Sequence, residues 1–142
     1  MIHTIGIASL VSVLCAQFIK PFIELIQDGK FNPFRMLDTG GMPSSHTAMV
    51  TTLTVGVGIY RGVDSVLFGI TLIFSLYFVF EATGLRQEVG NQARVLNEII
   101  EKAGKTHHID SHELRELIGH TWIEVLGGFA VGLVVALLFF YG

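Results

Sequence analysis

Apolar residues gather in four stretches along the chain, at about 5–19, 47–60, 66–83 and 118–141. A bilayer-spanning helix needs about 20 apolar residues, so the third and fourth stretches approach a full crossing. The first two are shorter and close on Lys20 and Arg61, which is compatible with tilt, with less apolar turns continuing the helix, or with shielding by protein. Between the third and fourth the pattern changes: from Gln87 to Ala103, Val89, Leu96, Ile99, Ile100 and Ala103 recur at helical spacing among polar residues. That spacing predicts an amphipathic helix, lying on the membrane surface, covering a site as a lid, or packed under the bundle. The predicted fold class is all-α: a polytopic membrane helix bundle with about four transmembrane helices and one cytoplasmic amphipathic helix. It forms a single integral membrane domain over residues 1–142, with 87–113 as the amphipathic helix and loop within it.

Composition agrees with the pattern. Mean hydropathy is +0.60 and 15% of the residues are charged, too few for a soluble domain of 142 residues. A cleaved signal peptide over 1–19 is the competing reading of the first stretch, but no basic flank precedes it and no small-x-small pattern follows Phe18. Cys15 is the single cysteine, so there is no disulfide framework. A net charge of −3 without a basic run leaves no nucleic-acid footprint. With four crossings, eight of the nine Lys and Arg residues fall in the two longer loops on one side, and Arg61 alone on the other. The positive-inside rule makes those loops cytoplasmic, in a multi-pass protein of the cell (inner or plasma) membrane.

The same placement collects chemistry at one membrane face: His46 at the start of the second stretch, Glu81 and Arg86 at the end of the third, His120 and Glu124 at the start of the fourth. Ionisable groups at membrane depth are costly and usually functional. In "GGMPSSH", residues 40–46, the glycines permit an unusual backbone and Pro43 suits a first helical turn. Ser44 and Ser45 then stand beside the free N–H groups of a helix start, a ready phosphate site. The alternative is that Thr39 or Ser44 caps the helix. His46 next to such a cradle can protonate a leaving oxygen near neutral pH. In "GHTWIEVLGG", residues 119–128, His120 and Glu124 are four apart; on one helix they share a face, and the carboxylate can orient the imidazole as a nucleophile. An ordinary polar pair at a helix end is the alternative. Gly128 and Gly132 permit close helix approach. In "KTHHIDSHEL", His107, His108, Asp110 and His112 offer metal-ligand types, but the spacing is crowded and Asp110 with Glu113 reads as a helix-starting cap. No metal and no cofactor is assigned.

These motifs resemble those of the membrane phosphatidic acid phosphatase and vanadium haloperoxidase superfamily, and more closely its small divergent bacterial branch. The resemblance rests on Lys20, "GGMPSSH", "EATGLR" from Glu81 to Arg86, and Gly119 to Val125, and so runs through nearly the whole chain. It implies a metal-independent phosphatase in which His120 attacks phosphorus to give a phosphohistidine, Glu124 orients it, and His46 is the general acid. Lys20, Ser44 and Ser45 would hold phosphate, with Arg86 the preferred further cation, then Arg35, then Arg115. Arg115 stands one residue closer to His120 than the superfamily pattern has, and on one helix would point away from it. Glu124 stands for Asp, Ser45 for Gly and Trp122 for Pro; Trp122 reads as an interfacial anchor. Glu81 is a supporting residue that pairs with one of the arginines.

The implied substrate is a lipid phosphate or prenyl diphosphate held in the bilayer. Four crossings enclose less than the superfamily's larger bundle, which leaves room for a homodimer to complete the site. The rival reading is a protein that binds or moves lipid phosphate without hydrolysis, and a third is a structural membrane subunit. Haloperoxidase chemistry has no support beyond the shared motifs.

Overall fold

The computed structural model describes residues 2–38, 40–107 and 121–142, with the side chains at 2, 82, 85–87, 89 and 101–107 outside the description. It is all-helical among these residues: α1 (Ile2–Asp28), a 3-10 turn (Pro33–Leu37), α2 (Ser45–Arg61), α3 (Val66–Thr83), α4 (Leu85–His107) and α5 (Trp122–Tyr141).

Helix α2 is the centre of the bundle and packs on α1, α3 and α5. It has the least apolar composition of the three bundle helices that follow the 3-10 turn, which explains its position. Most of its buried residues are small or hydroxylated, Ser45, Thr47, Ala48, Thr51, Thr52 and Gly56, beside Val50 and Val57. Small side chains let backbones approach, the usual driving device where apolar surface has no water to escape. The hydroxyls do not stay unsatisfied: Thr52 Oγ1 donates within hydrogen-bonding distance of both Ala48 O at 3.0 Å and Gly132 O at 2.9 Å. Thr54 and Ser75 join α2 to α3 through their hydroxyls at 2.7 Å.

The expected close approach at Gly128 and Gly132 is present. A Cβ on Gly128 would run into the Ser44 carbonyl and lie 2.9 Å from Thr47 Cβ, and one on Gly132 would run into the Ala48 carbonyl and lie 2.8 Å from Thr51 Cβ. The pairings advance together along both helices, so α2 and α5 run parallel. Gly58 against Phe68, and Thr54 against Ser75, make α3 antiparallel to α2. Near the other end of the bundle, Gly56 faces both Ile5 and Phe140, which makes α1 antiparallel to α2 and α5. The C-terminal end of α1 and the N-terminal ends of α2 and α5 therefore share one end of the bundle.

Several expected boundaries differ. Helix α1 does not close at Lys20 but continues to Asp28 through Pro21, with Lys20 only 4% exposed. Proline removes one N–H from the helical ladder; the rest of the ladder and the packing of a fully buried Pro21 carry the helix past it. Pro43 is not in the first turn of α2: it precedes the N-cap Ser44 and follows a cis peptide bond from Met42. Helix α5 begins at Trp122 rather than near residue 118, because Thr121 caps it.

Among the described residues two helices, α1 from His3 and α5, are long and apolar enough to cross a membrane; the apolar stretch of α3, Val66–Glu81, is shorter. Trp122, 63% exposed at the start of α5, stands where an interfacial anchor belongs. The amphipathic helix appears as α4, longer than expected at both ends and joined to α3 through Gly84. It packs on α3 and leaves Val95, Leu96 and Ile99 exposed.

Candidate functional site

A cleft of about 220 Å³ opens where the C-terminal part of α1, the 3-10 turn, the glycine loop and the start of α5 meet. Its walls include Lys20, Glu24, Arg35, Gly41, Thr121 and Glu124. Four separate segments therefore meet at one small volume, and three of them bring polar side chains.

The cations in it are held in place by neighbours. Lys20 Nζ donates to the Asp38 carbonyl at 2.8 Å, and Gln17 Nε2 reaches the same oxygen at 3.4 Å. One carbonyl thus ties the loop leading to the glycines onto α1. Arg35 Nε donates to Glu24 Oε1 at 3.2 Å, and its Nη1 donates to Asp38 Oδ2 at 2.9 Å. The hydrogen-bonded Asp38 carboxylate raises the Arg35 pKa above its ordinary value, with Glu24 acting in the same direction, so the guanidinium is charged at any working pH. Neither acid uses Nη2, which is left for another acceptor. Gly41 has φ +89, a conformation in which a side chain would be strained, and this permits the sharp loop between the 3-10 turn and α2.

Ser44 is occupied differently from a phosphate cradle. Its Oγ accepts from Thr47 N at 3.3 Å and from Thr47 Oγ1 at 3.1 Å, and its own N–H donates to Glu124 O at 3.0 Å. The capping alternative describes this geometry, and it also fastens the start of α2 to the first turn of α5. Ser45, buried in the first turn of α2, and the half-buried His46 beside it are not among the walls of the cleft.

Glu124 lines the cleft from the third position of α5, within a capping box: its N–H donates to Thr121 Oγ1 and its Oε2 accepts from Thr121 N, both at 3.3 Å. With α5 starting at Trp122, the helical spacing expected to put His120 and Glu124 on one face is not supplied by α5. His120 and Arg115 lie outside the described residues, as do His108, Asp110 and His112. Arg86 falls in the first turn of α4, its side chain outside the description, and Glu81 is half-buried near the end of α3.

The structure therefore brings together Lys20, Arg35 and Glu124. It adds Glu24, Asp38, Gln17 and Thr121, which the sequence reading did not single out. Two of these had a signal: Thr121-x-x-Glu124 is the capping-box spacing, and Glu24 stands one helical turn beyond Lys20.

An all-helical membrane protein with a polar cleft at one end, fed by a glycine loop and lined by two cations, is the class these features define. The chain belongs to the family described as the Divergent PAP2 family, which it matches over residues 2–135. It is also similar to YuiD, described as an uncharacterized membrane protein, from Bacillus subtilis (strain 168). The two are 36% identical over 148 residues, covering 95% of this chain and 92% of that protein. No solved structure matches the chain.

Proposed function

We propose that the protein is a membrane phosphatase acting on a lipid phosphate or a prenyl diphosphate, by a phosphohistidine route that needs no metal. The observation that supports this most is the cleft itself. Lys20, Arg35 and Glu124 line it together, in a chain whose family is a divergent branch of phosphatidic acid phosphatase relatives.

In this mechanism the phosphate enters against Lys20 and Arg35, with Arg86 and the Ser45 backbone completing charge neutralisation and Arg115 at most a remote contributor. A neutral ring nitrogen of His120 attacks phosphorus while His46 gives a proton to the departing ester oxygen. Glu124 stabilises the imidazolium character that develops on His120. Water then attacks the phosphohistidine, His46 takes its proton, and phosphate leaves with His120 restored. Phosphoryl transfer draws most of its rate from positioning and charge neutralisation, the two things a rigid cation pair supplies.

The membrane arrangement belongs to the same proposal. All four helices of the bundle cross, residues 87–113 stay on the cytoplasmic side within one domain, and the cleft faces the cytoplasm. The gathering of eight of nine basic residues at that end supports this. Labelling of a cysteine placed at Lys30 by an impermeant reagent in intact cells would overturn it.

Non-hydrolytic binding is the second reading, and one observation favours it. The Glu124 carboxylate already caps α5, and Lys20 already serves the Asp38 carbonyl, so both have structural employment without catalysis. Phosphate release from a panel of lipid phosphates and prenyl diphosphates, in the presence of chelator, separates the two. Release that falls more than about 10³-fold in His120→Ala is the result expected of the enzyme. Binding without release, in both proteins, would establish the alternative.

A further inference from the structure

Three residues of α1 line the cleft in a row, Lys20, Glu24 and Asp28, each one helical turn after the last. Successive members stand about 6 Å apart along the axis. Exposure rises along the row: Lys20 is buried, Glu24 half-buried and Asp28 exposed. The cleft thus runs from a cation at depth to carboxylates at its mouth.

Glu24 occupies the middle of that row and divides its two oxygens between different environments. Oε1 accepts from Arg35 Nε at 3.2 Å. Oε2 is fully enclosed and has no hydrogen-bond partner. A desolvated carboxylate oxygen lacking a donor is among the costlier features a fold can carry. Lys20, one turn earlier, does not relieve it: its ammonium donates to the Asp38 carbonyl and makes no hydrogen bond to Glu24. A donor brought by the ligand would.

We infer that Glu24 Oε2 receives a hydrogen bond from a hydroxyl or ammonium group that the ligand carries beside its phosphate, so that the preferred substrate is a phosphate monoester with a donor two carbons from the ester oxygen. The inference rests on the phosphate reading of the cleft and deepens it. Arg35 sets the spacing. Its Nε holds Glu24 and its Nη1 holds Asp38, so a phosphate taken by the remaining nitrogen, Nη2, would neighbour Glu24 on one guanidinium. Prenyl diphosphates, and phosphates whose neighbouring oxygen is esterified, carry no such donor and leave Oε2 unsatisfied. Discrimination of this kind is strong because the missing donor leaves a buried acceptor unpaired.

The test uses two lipids that differ only in the donor: a monoacylglycerol 3-phosphate with a free 2-hydroxyl, and the corresponding monoacyl propanediol phosphate without it. A third lipid carries an amine in place of the hydroxyl. The variant is Glu24→Gln, in which the amide oxygen keeps Arg35 Nε and the amide nitrogen replaces the unpartnered oxygen by a donor. Wild-type protein in detergent is expected to favour the hydroxyl lipid over the deoxy lipid by about tenfold in kcat/KM, and Glu24→Gln to reduce that ratio to about one. A larger preference for the amine than for the hydroxyl assigns the donor as an ammonium, and the reverse assigns it as a hydroxyl. Equal turnover of the pair by wild type, or a fall in Glu24→Gln that is the same for both lipids, would overturn the inference and leave Glu24 as a support for Arg35. If wild type releases phosphate from none of the three, the hydrolytic reading fails separately. Equilibrium binding of the same lipids then decides: a Kd ratio lost in Glu24→Gln upholds donor recognition, and equal Kd values sink it.

Discussion

Helices α2 and α3 lie side by side in the bundle and handle the same physical problem in opposite ways. Helix α3 is rich in large apolar side chains and turns most of them outward: Val66, Ile70, Ile73, Tyr77 and Phe80 are all exposed. Helix α2 is poorer in them and packs against three other helices, its interior face made mostly of Ser, Thr, Ala and Gly, with Val50 and Val57 the exceptions. In a soluble protein the more apolar helix would be the inner one. In the membrane arrangement proposed above, lipid covers the outer surface, and the interior is selected for close approach and for hydroxyls that bond to helix carbonyls. The difference teaches that, among the four bundle helices, small and hydroxylated composition rather than high hydropathy marks the inner one.

The comparison breaks most sharply at the glycines. Gly132 lies against the Ala48 carbonyl and Thr51, with no room for a Cβ, whereas Gly69 on α3 has nothing within 4 Å of where its Cβ would be. Gly132→Leu must therefore part α2 from α5, and with them Ser44 from Glu124. Overpacking alone costs about 1–3 kcal/mol, and a backbone collision with no flexible neighbour belongs at or beyond the upper end. Gly132→Leu is expected to yield aggregated protein or a melting temperature lowered by more than 10 °C, taking about 3 kcal/mol at a few degrees per kcal/mol. Gly69→Leu is expected to melt within about 2 °C of wild type, a change of about 0.5 kcal/mol. Size-exclusion profiles and thermal melts in detergent check both. Similar behaviour of the two variants would mean that α5 does not pack on α2 through these glycines.

Much of this architecture was legible before any coordinates. The four apolar stretches each became a helix, the amphipathic segment became α4, and Gly128 with Gly132 became the α2–α5 seam. Boundaries were less legible where a local signal was overridden by packing. Lys20 closes the first apolar stretch, yet the bundle buries it together with Pro21 and carries the helix to Asp28. Pro43 argued for a first helical turn, while Ser44 won the N-cap because its oxygen can satisfy Thr47 N. The site was legible in its residue types and less so in their partners. Lys20, Arg35 and Glu124 carry a signal in the sequence; Gln17 and Lys20 meet the Asp38 carbonyl only through tertiary contact, while the Asp38 carboxylate pairs with Arg35 at the local i, i+3 spacing. Glu124 was read through its spacing from His120, when the competing spacing from Thr121 forms the capping box. Two short-range signals overlapped on one residue, and periodicity alone does not rank them.

The finer form of the comparison sets two threonines against each other. Thr52 on α2 hydrogen-bonds Ala48 O in its own helix and Gly132 O across the seam, and is fully buried. Thr71 on α3 hydrogen-bonds Leu67 O in its own helix at 2.8 Å. Valine matches threonine in shape, so Thr→Val removes the hydroxyl and little else. At Thr71 the carbonyl that loses its partner still holds its helical hydrogen bond, and the bond lost is one within α3. At Thr52 the seam loses its direct hydroxyl-to-backbone link, and interhelical hydrogen bonds of this kind average about 0.6 kcal/mol with a ceiling near about 1.7. Thr52→Val is therefore expected to lose about 1 kcal/mol and Thr71→Val about 0.2 kcal/mol or less, read from unfolding in the same lipid–detergent mixture. The order matters more than either value, because the two substitutions delete the same atom from the same residue type. If Thr71→Val proved the more damaging, the hydroxyls of α2 would be passengers on a seam held by the glycines alone, and burial of small polar residues would follow from close packing without contributing to it.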